Sequence, residues 1–399
     1  VNQKTQKAID YLIVILAVAA AAQWVFIRLV TEPAPSLYTA LMAGLCIFSA
    51  AYLLTWAAEL VQFDLPRSIA IILVALLAVL PEYAVDVYFA WKAGQDPAYI
   101  SYATANMTGA NRLLIGLGWA AVVFVYWLKH RRSAIEIAVS HRLEIRALLA
   151  ATVYSFVIPL FRRISIFDAV VFLAIFILYT RRALKEEVVE PEIESGPVAL
   201  ICKLKPLARR LAVAALFLLA GAAIFFAAEP FAEGLLAVGE KFGVEKFILV
   251  QWVAPLASEA PEFLVAILFA WNMKPAIGLS ALVSSKVNQW TLLIGMLPVV
   301  YSLSSGHLLS LPLDGRQNEE ILLTAAQSLF ALVIIADLRF SLIDGVVLAV
   351  PFLAQLFFTS TAIRIEFAIG YIIASALVIA FRPAARRGIC AIIPFCRRS

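Results

Sequence analysis

Twelve segments of this chain are long and apolar enough to cross a bilayer, and that pattern leaves few folds open. They are residues 8–30, 36–62, 66–92, 97–128, 144–161, 164–182, 207–239, 244–272, 276–301, 318–338, 341–360 and 362–382. A hydrocarbon core of roughly 30 Å takes about 18 or more apolar residues per helix. Within it the backbone must satisfy its own hydrogen bonds. Composition agrees, with 63% hydrophobic and 15% charged residues, where soluble domains hold about 45–50% and about 25%. The expected fold class is all-α, a polytopic helical membrane protein with about 12 transmembrane helices. A soluble globule around one core is excluded. The shortest spans are 144–161 and 164–182, and 207–239 is interrupted by Glu229-Pro230.

Lys and Arg set the expected topology, because cytoplasmic loops are enriched in them. With the N-terminus inside, 22 of the 32 fall in cytoplasmic stretches, 8 in outer ones, and Arg112 and Lys286 lie within helices. Both termini are therefore expected in the cytoplasm. Basic loops against anionic lipid also account for the net charge of +5, so no nucleic-acid partner is implied. Cys46, Cys202, Cys390 and Cys396 read as reduced thiols rather than a disulfide framework. Residues 8–30 are too long for a cleavable signal and lack a cleavage pattern.

The most polar break runs from Lys185 to Lys205 and carries Glu186, Glu187, Glu190, Glu192 and Glu194. It reads as a cytoplasmic tether, 183–206, between a half at 1–182 and a half at 207–399.

Each half holds a proline–glutamate pair inside an apolar helix: Pro81-Glu82 in the third segment and Pro261-Glu262 in the eighth. Ionised carboxylates are costly at bilayer depth, so two at matching points mark a site for something positive. Each pair is followed by a helix with small and amide residues, Asn106 to Asn111 and then Ser280 to Lys286. The second pair lies five helices after the first, an odd step, so the copies enter the membrane in opposite directions. That predicts an inverted repeat, helices 2–6 against 7–11, with helices 1 and 12 added at the ends.

Chemistry follows from the breaks. Pro81 displaces the carbonyl of Leu77, and Pro261 that of Ala257. Freed carbonyls are tolerated where they line a cavity, and there they become oxygen donors. Glu82 and Asp86 share a helix face, as do Glu259 and Glu262. Asn106 and Asn111 offer amide oxygens; Thr108, Ser258, Ser280, Ser284 and Ser285 offer hydroxyls. Such oxygens suit Ca²⁺, with Na⁺ or H⁺ in competition. Taken singly, each residue also fits plain packing, but packing does not explain two buried acids in matching places. Lys286 introduces an amine at this level, either as a tethered surrogate cation or proton carrier, or with its head in an aqueous vestibule. The formal sum of Glu82, Asp86, Glu259 and Glu262 against Arg112 and Lys286 is −2.

These two segments, about 74–118 and 250–295, resemble the paired alpha repeats of the cation/calcium exchanger superfamily, roughly G-[TS]-S-x-P-E and then G-N-x-x-G-S-N. Pro81-Glu82, Asn106, Gly109 and Asn111 match in the first, and Ser258, Pro261, Glu262 and Ser285 in the second. Leu77, Ala78 and Val79 replace the polar triplet, Glu259 stands at a small hydroxyl position, and Lys286 stands where the family places Asn or Asp. The resemblance implies a secondary active antiporter with alternating access, exchanging Ca²⁺ for Na⁺ or H⁺. The short architecture, without a large cytoplasmic regulatory domain, points to a prokaryotic plasma membrane. Glu82 and Glu262 would be the central metal ligands, with Asn111, Asn106, Ser258 and Ser285 flanking. Asp86, Glu259 and Lys286 would carry protons or balance charge. No cofactor beyond the transported ions and no obligate oligomer is implied.

Na⁺/H⁺ exchange on the same fold, with Lys286 replacing a bound cation, is the alternative. A passive channel fits duplicated inverted halves less well. An enzyme is not expected, since no H-E-x-x-H pattern appears and His130, His141 and His307 fall near helix ends.

Overall fold

The structure is a computed structural model that describes residues 3–61, 63, 80–185, 196–358 and 360–392. In chain order its helices are α1 Gln3–Val30, α2 Leu37–Val61, α3 Leu80–Ala93, α4 Pro97–His130, α5 Val139–Phe161 and α6 Ile166–Ala183. After the tether come α7 Pro197–Cys202, α8 Pro206–Phe242 and α9 Lys246–Trp271. Next is α10, formed by Pro275–Asn288, a π-helical turn Gln289–Leu293 and Ile294–Ser305. The chain ends with α11 Gly315–Ile335, α12 Leu342–Gln355, α13 Thr361–Phe381 and α14 Pro383–Ile392.

Every expected span overlies one of these helices, but twelve crossings do not follow. By length and apolarity seven described helices qualify, or eight if α9, broken at Pro261, counts as one. α12 stops at Gln355 after 14 residues, and α6 carries Asp168, Arg181 and Arg182 within its 18 residues. The Glu229-Pro230 interruption does not end α8, which runs on for 37 residues to a left-handed Gly243. Two helices escaped the sequence reading: α7 inside the tether, and α14, whose buried side is Ala385, Gly388 and Ile392. Tether residues 186–195, the start of the third span with the Leu77 carbonyl, and Cys396 lie outside the described residues.

The chain forms two compact units, and each draws on both sequence halves. The first comprises Val1–Tyr88 and Leu184–Pro261. Its spine is α2 against α8, brought close by small residues as expected between membrane helices. A β-carbon on Gly234 would lie 2.7 Å from the Ala40 backbone nitrogen. Trp24 Nε1 donates to Phe226 O at 3.1 Å, fastening α1 to α8. Tyr88 Oη donates to Glu233 Oε1 at 2.5 Å, tying α3 to the same helix.

The second unit comprises Phe89–Ala183 and Glu262–Ser399 and repeats its own devices in exchange order. Strand β1 (Ala134–Glu136) follows α4 and pairs antiparallel with β4 (Arg339–Ser341), which follows α11. Strand β2 (Arg163–Ile164) follows α5 and pairs with β3 (Leu311–Pro312), which follows α10. Swapping the halves converts one pair into the other. The Ser165 hydroxyl and N–H bond the Asp168 carboxylate at the start of α6, and Ser341 and Asp344 repeat this cap on α12. α4 contains a π-helical turn, Leu114–Trp119, matching the one in α10. Gly116 packs on Phe352 of α12, and Gly295 on Phe172 of α6. These correspondences are the inverted repeat expressed in side chains.

The Gly116 contact leaves no room, since a β-carbon there would sit 2.2 Å from Phe352 Cγ and 2.6 Å from its Cβ. Gly116→Ala is expected to cost about 1–3 kcal/mol through overpacking, read as a lower unfolding midpoint in detergent. Adding Phe352→Ala should recover part of the loss. An unchanged midpoint in the single variant would show that the two helices separate freely.

Candidate cation site

The first unit carries four of the predicted site side chains, all buried: Glu82 at 2% and Asp86 at 0% exposure on α3, and Ser258 at 4% and Glu259 at 0% on α9. Glu82 lies in the first turn of described α3, directly after Pro81. Ser258 Oγ donates back to Ala254 O and Pro255 O, both at 3.3 Å. A hydroxyl bonded this way keeps its lone pairs for a cation. Ala257 is half-buried in the turn before Pro261.

The second unit carries the remainder. Glu262 is half-buried on α9 and lies beside the Ser285 hydroxyl of α10. Asn106 and Asn111 are buried on α4. Thr108 Oγ1 donates to Thr104 O at 2.7 Å.

Lys286 does not reach a vestibule, because its side chain is wholly buried. Its Nζ donates to Asn111 Oδ1 at 2.6 Å and to Asn111 O at 3.0 Å. It also lies 4.6 Å from the Trp290 ring centroid, in cation–π range. Asn111 Nδ2 donates to Met107 O at 2.8 Å, which turns the amide oxygen toward the lysine.

Charge at the next residue is also organised differently from the sequence sum. Arg112 is paired with Glu320 of α11 at 2.5 Å, and Glu320 also pairs with Arg364 of α13. All three are buried, so Arg364 is no loop cation and Arg112 does not stand uncompensated against the site acids. Gln355 Oε1 accepts from Arg112 Nη1 at 3.2 Å, and Gln327 Nε2 donates to Arg112 O at 3.3 Å. Sequence reasoning missed this cluster because its members are more than 40 residues apart; Arg364, only three residues inside a span, reads as a loop residue.

Among the described residues no group of three or more His, Cys, Asp or Glu forms a ready metal cage, and no disulfide links Cys46, Cys202 and Cys390.

Comparison with curated proteins returns no match. Among solved structures, the chain is similar to an H⁺/Ca²⁺ exchanger, CAX, with 45% identity over 98% of each chain and a TM-score of 0.92. The native YfkE structure shares 18% identity over 90% of this chain and 99% of that one, with TM-score 0.58. The sodium–calcium exchanger NCX_Mj shares 16% over 80% and 97%, with TM-score 0.54. The latter two likenesses concern the fold. The family model described as sodium/calcium exchanger protein matches residues 35–185 and again 212–361, so each match contains one proline–glutamate helix. This chain belongs to the sodium/calcium exchanger protein family.

Proposed function

We propose that the protein is a secondary active antiporter that moves Ca²⁺ across its membrane in exchange for H⁺. The observation that carries this reading is Glu82, 2% exposed behind Pro81, with its counterpart Glu262 behind Pro261 and beside Ser285. Buried carboxylates bind either a metal ion or protons, and competition between the two couples their movement. Identity of 45% to an H⁺/Ca²⁺ exchanger supports the proton as partner.

In this reading Glu82 and Glu262 are the central ligands of the transported ion. Asn106, Ser258 and Ser285 add neutral oxygens, with the Ala257 carbonyl. Asp86 and Glu259 take up protons as calcium leaves. Asn111 serves through its contact with Lys286. A second reading, Na⁺/H⁺ exchange, draws on that same contact, because a fixed ammonium opposes a divalent ion.

Proteoliposomes separate the two. An outwardly directed proton gradient is expected to drive ⁴⁵Ca²⁺ uptake against its concentration gradient. Proton-driven ²²Na⁺ movement without calcium uptake would replace the first reading by the second. Calcium movement that only follows its own gradient would indicate a channel.

A further inference from the structure

The contact between Lys286 and Asn111 joins equivalent positions of the two repeats. Asn111 stands three residues before the π-helical turn of α4, and Lys286 three residues before that of α10. At one repeat the position supplies oxygens, Oδ1 and the backbone O of Asn111; at the other it supplies an ammonium that occupies both. The acceptor carbonyl lies just before the shift from i→i+4 to i→i+5 pairing, where the helix ladder is interrupted. An amide oxygen, a carbonyl oxygen and the face of Trp290 are the surroundings a weakly held monovalent cation would take. Asn111 cannot turn this oxygen elsewhere, because its Nδ2 is held by Met107 O.

We propose that Lys286 is a built-in monovalent cation that makes exchange independent of Na⁺. Its ammonium fills the place and the charge of a sodium ion, so the protein carries that charge permanently and binds no monovalent metal there. Lys286 is thus a specificity-determining residue, and its effect is exclusion. The proposal rests on the antiport reading above but concerns which ion is refused.

Two neutral variants test it in the full chain: Lys286→Gln and Lys286→Met. The wild type is expected to show no saturable ²²Na⁺ binding in detergent and no ⁴⁵Ca²⁺ uptake driven by a Na⁺ gradient. In Lys286→Gln, saturable ²²Na⁺ binding should appear, and Na⁺-driven ⁴⁵Ca²⁺ uptake should rise at least tenfold over wild type. Lys286→Met, with no oxygen of its own, should gain less. Lys286→Arg keeps the charge and should remain indifferent to Na⁺.

Saturable ²²Na⁺ binding by the wild type would overturn the proposal without any variant, and so decides the matter even if the variants fail to fold. Folded neutral variants that remain blind to Na⁺ would overturn it equally. A wild type that carries no calcium under either gradient removes the antiport reading alone, since the ²²Na⁺ contrast between wild type and Lys286→Gln still reports on the lysine.

Discussion

Glu262→Gln is expected to lower the initial rate of proton-driven ⁴⁵Ca²⁺ uptake at least about 100-fold, which corresponds to about 2.8 kcal/mol at 1.4 kcal/mol per decade. The amide keeps the shape of the carboxylate and removes only its charge. A unit charge pair at 4 Å is worth about 4 kcal/mol at an effective dielectric of 20, and a divalent ion doubles the Coulomb term before desolvation is subtracted. Glu82→Gln should behave alike, because Glu82 is 2% exposed and has little water to replace the lost charge. The same change also removes a proton acceptor, so raising calcium should not restore the coupled rate. Uptake that stays within threefold of wild type in Glu262→Gln, with normal protein yield, would remove Glu262 from the ion path. Ser285→Ala is a milder companion, since it deletes one neutral oxygen beside Glu262.

Glu320→Ala is expected to be the most destabilising of the single changes discussed. It would leave Arg112 and Arg364 without the carboxylate that both now share, with side chains 2% and 6% exposed. Breaking a buried pair by removing one partner costs about 3–5 kcal/mol, mostly as the penalty of an uncompensated charge. At about 2 °C per kcal/mol for a large domain, the unfolding midpoint in detergent should fall by roughly 6–10 °C. The cluster is further tied in by Gln355, whose Nε2 donates to Tyr371 Oη at 2.9 Å, so α12 and α13 should loosen with it. Removing Glu240, whose side chain is 77% exposed in its pair with Lys246, should change stability by less than about 1 kcal/mol. Equal midpoints for the two variants would mean that the buried cluster carries no more than a surface pair. Arg112 directly follows Asn111, so Glu320→Ala should also disturb transport in whatever protein remains folded.

The length of the apolar runs alone located every long helix among the described residues, because an apolar run of that length has no other stable state in lipid. The short α7 and α14 went unseen for the same reason, as neither carries such a run. The two proline–glutamate pairs were legible since a buried acid is rare enough to stand out in one sequence. The symmetry of strand pairs and serine–aspartate caps was not legible. A two-residue strand has no pattern, and its partner lies about 150 residues away in the chain.

The class of protein, the repeat and the residue types of the candidate site were legible before folding, because solvent and charge penalties act on each residue wherever its neighbours are. Tertiary structure alone decided what each charge is used for. Asn111 and Lys286 are 175 residues apart, and only folding reveals that the amide oxygen expected to hold a metal ion holds an ammonium. Arg112 and Glu320 likewise became a closed pair. Coulomb energy depends on distance and local dielectric, and in a chain whose partners lie hundreds of residues apart only the fold sets both.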